Sequence, residues 1–272
     1  MPGPAAVGST REPSEGCRSG SEAARVSALE DERPVCAIAD VHGRADLLGA
    51  MLDAIERELP DARIVMLGDM IDRGPDVPGA LALAMDVPKR FSGSTVLTGN
   101  HENWLVTALG GDHQAWDHWR SWGGRATLAG FGVDPELPPS AMREAFEERA
   151  PGVLAFLAER PRHLVGRGAA EGHLFVHAGV DPTVALDDQH PDDLIWIREP
   201  FLSWPVPLDR TVVHGHTIEN GPVVRPHRIG LDTGAYHTGV LTCLVLEPDQ
   251  SRRFLSAHDG WGSVEVEPVG PR

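Results

Sequence analysis

Five short apolar runs in this chain stop in the same way, and that repeated stop is what most restricts the fold. PVCAIADVHG, ARIVMLGDMIDRGP, STVLTGNHE, HLFVHAGVD and TVVHGHT each pass from β-branched and aliphatic residues into a polar turn, every one with a glycine in or beside it. Such runs, bounded by turn formers, read as strands. Between the first two, RADLLGAMLDAIEREL sets Leu47, Leu48, Met51, Leu52, Ile55 and Leu59 at helical spacing. PDVPGALALAMDV, between the second and third, predicts another, shorter helix. Strand and helix in alternation predict an α/β fold.

The remaining segments differ in character. From about 104 to 160 the chain carries Trp104, Trp116, Trp119 and Trp122 and then AMREAFEERA before Pro151, which predicts a helical insertion. Residues of about 180 to 210 are irregular and Pro-rich, and RIGLDTGAY, GVLTCLVLEP and RRFLSAHD after 220 are β-like. The first 33 residues are rich in Gly, Ala, Ser, Pro and Glu and predict a flexible tail. A single domain is therefore expected over 34–262, followed by a C-terminal tail over 263–272.

Composition works mainly by exclusion. A formal net charge of −16 argues against nucleic acid as partner, because phosphate neutralisation needs a basic stripe. The longest apolar run, GVLTCLVL, falls far short of the roughly 20 residues that span a bilayer. Cys17, Cys36 and Cys243 are sparse and odd in number, which points to a reducing compartment and a cytoplasmic location.

The polar residues at the strand ends carry the chemistry: Asp40 and His42; Asp69 and Asp72; Asn100 and His101; His177; His214 and His216. Taken singly, a strand-end Asp is usually a turn or helix-capping residue. Five such ends in order are another matter, since α/β sheets bind ligands outside the carboxyl ends of their strands. Oxygen and imidazole donors without thiolates suit Mn, Fe or Zn, and two such ions sharing a carboxylate form a clamp for phosphoryl displacement.

ADVHG (39–43), GDMIDRG (68–74), GNHE (99–102), HAG (177–179) and GHT (215–217) resemble, in order and spacing, the signature of the phosphoprotein-phosphatase-type, calcineurin-like metallophosphoesterases. The resemblance covers roughly residues 35–245 and is strongest to bacterial and phage-type serine/threonine phosphatases, with symmetrical dinucleoside tetraphosphatases as relatives. It implies a four-layer α/β/β/α sandwich with two central mixed sheets and two divalent metal ions, manganese first. Asp40, His42 and Asp69 would hold one ion, with Asp69 bridging to a second completed by Asn100, His177 and His216. His101 would be the general acid, oriented and kept cationic by Asp72. Arg73 and Arg198, with Asn100, would hold the phosphate.

Other positions stay open at this level. Glu102 either caps the helix that GNHENWL begins or pairs with a cation, and His214 is either a partner of the ligand set or a core histidine. The tryptophans are either core or the wall of a substrate pocket; WGGRATLAG (122–130) resembles a bacterial segment of the family and would turn Trp122 and Arg125 to the site. Asp232 and Tyr236 are expected near the metals, whereas His163 and His227 are expected to be surface or loop histidines. Thr98 stands where many family members carry Arg. The expected activity is hydrolysis of phosphoserine or phosphothreonine in proteins, the alternative being dinucleoside polyphosphates or another small phosphate compound. A non-catalytic module that keeps the fold would have lost a ligand, and none of the six is missing.

Overall fold

The computed structural model describes residues 27–28, 33–259 and 264–271. Two six-stranded sheets form its centre. One runs β12 (Val264–Val269), β11 (Arg252–Asp259), β10 (Val240–Leu246), β2 (Val35–Ile38), β3 (Arg63–Met66), β4 (Thr95–Val96). The other runs β1 (Ser27–Ala28), β5 (His163–Val165), β6 (His173–Val176), β7 (Thr211–His214), β9 (Arg228–Gly230), β8 (Val223–Val224). Both are mixed. In the first, β2, β3 and β4 pair in parallel while β10, β11 and β12 pair antiparallel. In the second, β6, β7 and β9 pair in parallel, β5 runs against β6 but parallel to β1, and β8 runs against β9.

Strand alternation sets the layers. Val35, Ala37 and Ala39 of the first sheet meet Phe175, Val213 and Ile229 of the second in a buried inter-sheet core. Cys36 and Ile38 point the opposite way, into a larger core with the helices, as the two-residue period of a strand requires. Leu47, Leu48, Met51, Leu52 and Ile55 of α1 (Ala45–Glu58) and Ala80, Leu81, Ala84 and Val87 of α2 (Val77–Arg90) fill that outer core. α2 runs to Arg90, past Pro88, and is as long as α1. On the far face of the second sheet, Leu174, Val176 and Val212 are covered by Val180, Leu194 and Phe201. This fourth layer is thin, a one-turn helix set in the Pro-rich stretch.

The insertion is helical: α3 (Asn100–Leu109), α4 (His113–Trp119), α5 (Arg125–Gly130), α6 (Pro139–Arg149) and α7 (Val153–Ala158). The tail expectations need correction. Residues 264–269 form β12 against β11, with Val266 packed on the helical core; Pro268 is tolerated because an edge strand has no ladder partner on its outer side. Ser27 and Ala28 pair in parallel with Leu164 and Val165, and residues 1–26 and 29–32 of the expected N-terminal tail lie outside the described residues. His163 and His227 are buried, which corrects the surface reading. Among the described residues no helix is long and apolar enough to cross a membrane.

Candidate active site

The turns after β2, β3, β4, β6 and β7 converge on one cleft, whose lining includes Asp40, Asp69, Asn100, His101, His216 and Arg73. The turns are locked together by backbone bonds: Val41 and His42 N–H donate to Asp69 O (3.0 and 2.9 Å), and Gly215 N–H to His177 O (2.8 Å). Five of the six described non-glycine residues with positive φ are here: His42, Asp69, Asp72, Arg73 and His216. Left-handed backbone costs of order 1–3 kcal/mol at each such residue, so its concentration in one place means the surroundings enforce it.

Asp69 is central. Its Oδ2 lies 3.5 Å from His42 Nε2, 3.5 Å from His177 Nε2 and 3.9 Å from His101 Nε2. His42 Nδ1 donates to Ile71 O (2.7 Å) and His177 Nδ1 to Leu67 O (3.0 Å), so each presents the Nε2 lone pair inward. Asn100 Oδ1 is 2.8 Å from His177 Nε2 and 3.0 Å from His216 Nδ1. Asp40 accepts from His216 N–H with both oxygens (3.2 and 3.1 Å). All six expected ligands are thus brought together.

Their electrostatics suit a divalent cation. Burial, then the neighbouring Asp232 carboxylate, pushes Asp40 well above the usual carboxylate range; burial, then Glu102 and Asp40, does the same for Asp69. Burial pushes His177 down to about 3 and His216 to about 2, so both are neutral donors. His216 Nε2 is buried without a hydrogen-bond partner among the described residues. Crowded carboxylates, inward lone pairs and an orphaned imidazole nitrogen are what bound metal would satisfy. Asp40, Asp69 and His177 form one geometric set able to hold an ion, and His42, Asp69 and His101 another.

His101 Nδ1 donates to Asp72 Oδ2 (2.6 Å), and Asp72 is fully buried. The expectation that Asp72 keeps His101 cationic meets an opposing balance: burial and the Arg73 guanidinium push the imidazole well below its usual value. Arg73 is that close because its Nη1 and Nη2 each lie 2.9 Å from a ring nitrogen, His42 Nε2 and His101 Nε2, while its guanidinium covers the Tyr236 ring at 4.8 Å. Each imidazole lone pair serves one partner, so Arg73 must leave both rings for His42 to ligate and His101 to carry a proton. Arg198 lines the same cleft.

Sequence reasoning left Glu102 open, and its carboxylate proves to be a clamp. Oε2 accepts from Asp69 N–H (2.8 Å) and Gly99 N–H (2.9 Å), and Oε1 from Met70 (2.8 Å) and Ile71 (3.3 Å). It caps α3 and ties the GNHE block to the GDMID turn. Asp232 sits beside Asp40, and Tyr236 packs edge-on to His42 at 5.4 Å. His214 turns from the cleft, Nδ1 to Gly215 O (2.9 Å) and Nε2 to Arg228 (3.2 Å). Thr98 is buried and hydrogen-bonds Gly99 O (3.4 Å). Trp122 lines the cleft with Trp104 and Trp196, but Arg125 turns outward to Glu136 (3.3 Å). Trp119 is core, so the tryptophans divide between the two readings.

The calcineurin-like phosphoesterase family matches residues 33–239. The chain belongs to that family. A calcineurin-like phosphoesterase of this kind has relatives with different substrates. A symmetrical bis(5'-nucleosyl)-tetraphosphatase of Janthinobacterium sp. (strain Marseille) is 26% identical over 77% of this chain and 92% of its own length. Serine/threonine-protein phosphatase 1 of Salmonella typhimurium is 37% identical, over 28% of this chain and 33% of its own. Among solved structures, a candidate diadenosine tetraphosphatase superposes with a TM-score of 0.62 at 22% identity, covering 88% of this chain and all of its own. A cold-active protein tyrosine phosphatase superposes at 0.56 and 18%, covering 90% and 80%. At those identities the structures speak for the fold alone.

Proposed function

We propose that this calcineurin-like phosphoesterase hydrolyses phosphoserine and phosphothreonine esters of proteins, using two divalent ions held by Asp40, His42, Asp69, Asn100, His177 and His216. The observation that carries the metal reading is the buried Asp69 carboxylate with three imidazole nitrogens within 4 Å. Manganese is the first choice, with iron or zinc as alternatives, because the donors are oxygen and neutral imidazole. Two bound ions would supply Lewis acidity and a water nucleophile at neutral pH.

The chain's own groups have separate tasks. Arg73 and Arg198 grip the non-bridging phosphate oxygens, the planar guanidinium matching two oxygens at once, and offset locally the acidic charge of the protein. Asn100 adds its amide to that grip. A phosphate in the cleft draws Arg73 from the two histidines. Its negative charge then favours the imidazolium form of His101, which donates the Nε2 proton to the leaving oxygen. Asp72 holds the Nδ1–H and so the ring's direction. Cys36 and Cys243, both buried and free, support a reducing, cytoplasmic setting.

The tetraphosphatase relative aligned over nearly all its length, together with the Trp104, Trp122 and Trp196 wall, supports a second reading, dinucleoside polyphosphates. Turnover of manganese-reconstituted protein on phosphopeptides and on diadenosine tetraphosphate decides between them. A higher kcat/KM on phosphopeptides is expected; the reverse order would replace the first reading by the second.

A further inference from the structure

The helical insertion reaches the reaction centre through two side chains that have no part in the five motif blocks. Trp119 Nε1–H donates to both oxygens of Asp72, at 3.0 and 2.9 Å. Thr127 Oγ1 donates to Asp72 Oδ1 at 2.5 Å and accepts from the Asp72 backbone N–H at 3.1 Å. Asp72, Trp119 and Thr127 are all completely buried. With His101 Nδ1 on Oδ2, the carboxylate therefore has a donor on every side and a single orientation.

The same segment also grips the next residue. Between α4 and α5 the chain reverses at Gly123, φ 120°, and Gly123 O accepts from Arg73 N–H at 3.3 Å. Asp72 and Arg73 both have left-handed backbone, with φ of 71° and 67°. Thr127 closes one ring on that strained pair and Gly123 another. A carboxylate without these donors would rotate, and His101 would turn with it.

We propose that Trp119 and Thr127 are positioning residues for proton donation: by fixing the Asp72 carboxylate they hold His101 with Nε2 facing the leaving oxygen. The proposal rests on the phosphoesterase reading above. In hydrolysis the bond from phosphorus to the leaving oxygen breaks, a water oxygen takes its place, and the proton that makes the leaving group an alcohol comes from Nε2. A misdirected imidazole therefore harms esters whose leaving group needs that proton and spares those whose leaving group departs as a stable anion.

The test compares p-nitrophenyl phosphate, a good leaving group, with phenyl phosphate, whose phenol has a pKa of about 10. Thr127→Val keeps the volume and removes the hydroxyl; Trp119→Phe removes the indole N–H; Thr127→Ser restores the hydroxyl. In both deletion variants kcat on phenyl phosphate is expected to fall about tenfold more than kcat on p-nitrophenyl phosphate, with KM little changed and Thr127→Ser near wild type. The two deletions act on separate donors, so failure of one to fold leaves the other to decide. Equal losses on the two esters, no loss on either, or no rescue by serine would overturn the proposal while leaving the phosphoesterase reading intact. A wild-type protein, loaded with manganese, that hydrolyses neither ester would remove both.

Discussion

Replacing Glu102 by Gln should damage the fold before it damages any chemistry. The four backbone N–H groups that converge on this carboxylate come from two loops that carry Asp69 and Asn100. A glutamine has nearly the same volume, but its amide nitrogen must replace either Oε1 or Oε2. In both orientations two N–H donors lose their acceptor and face another donor. A hydrogen bond to a charged group contributes about 1.5–3 kcal/mol, so losing two costs about 3–6 kcal/mol. Relief of the repulsion between Glu102 and Asp69 brings the figure toward the lower end. Urea unfolding of metal-free protein is the assay. At a slope of about 3 kcal/mol/M the midpoint should fall by about 1–2 M. A shift below about 0.3 M would refute the clamp.

Other outcomes rest on the same geometry. Gly215→Ala would put a Cβ onto the Asp40 carboxylate, and a Cβ at Gly99 would strike Asp69; both variants should lose manganese-dependent thermal stabilisation, which a melting curve with and without metal reads directly. His163 is buried with neither ring nitrogen hydrogen-bonded among the described residues, and burial pushes its pKa down. Its folded pKa lies below the unfolded value of about 6.5, so its contribution is complete above that pH and lost as pH falls toward the folded value. His163→Phe should therefore lose less stability than wild type between pH 7 and pH 5, measured by urea midpoints; parallel curves would contradict this.

The residues of the proposed metal site were legible because each lies where an apolar strand run ends, and strand ends in α/β sheets gather at one edge. The roles of Glu102, Trp119 and Thr127 were not. Glu102 binds backbone N–H groups of residues 69 to 71, which no side-chain pattern marks. Thr127 meets Asp72 across 55 positions, a contact created by how α5 packs. The C-terminal strand was missed for a related reason: VEVEPV alternates as a strand should but is short and holds a proline, so only its pairing with β11 reveals it. His214 and His216 look equivalent in GHT and its flank, yet one faces Arg228 and the other Asn100, because the turn at His216 takes φ 62°.

A paired metal site bridged by Asp69 is the centre of the proposed chemistry. Calorimetric titration of manganese into chelated protein tests it most directly. Two equivalents are expected to bind per chain in the wild type, with loss of the pair in Asp69→Asn. No binding in the wild type, or two equivalents undiminished in Asp69→Asn, would contradict it.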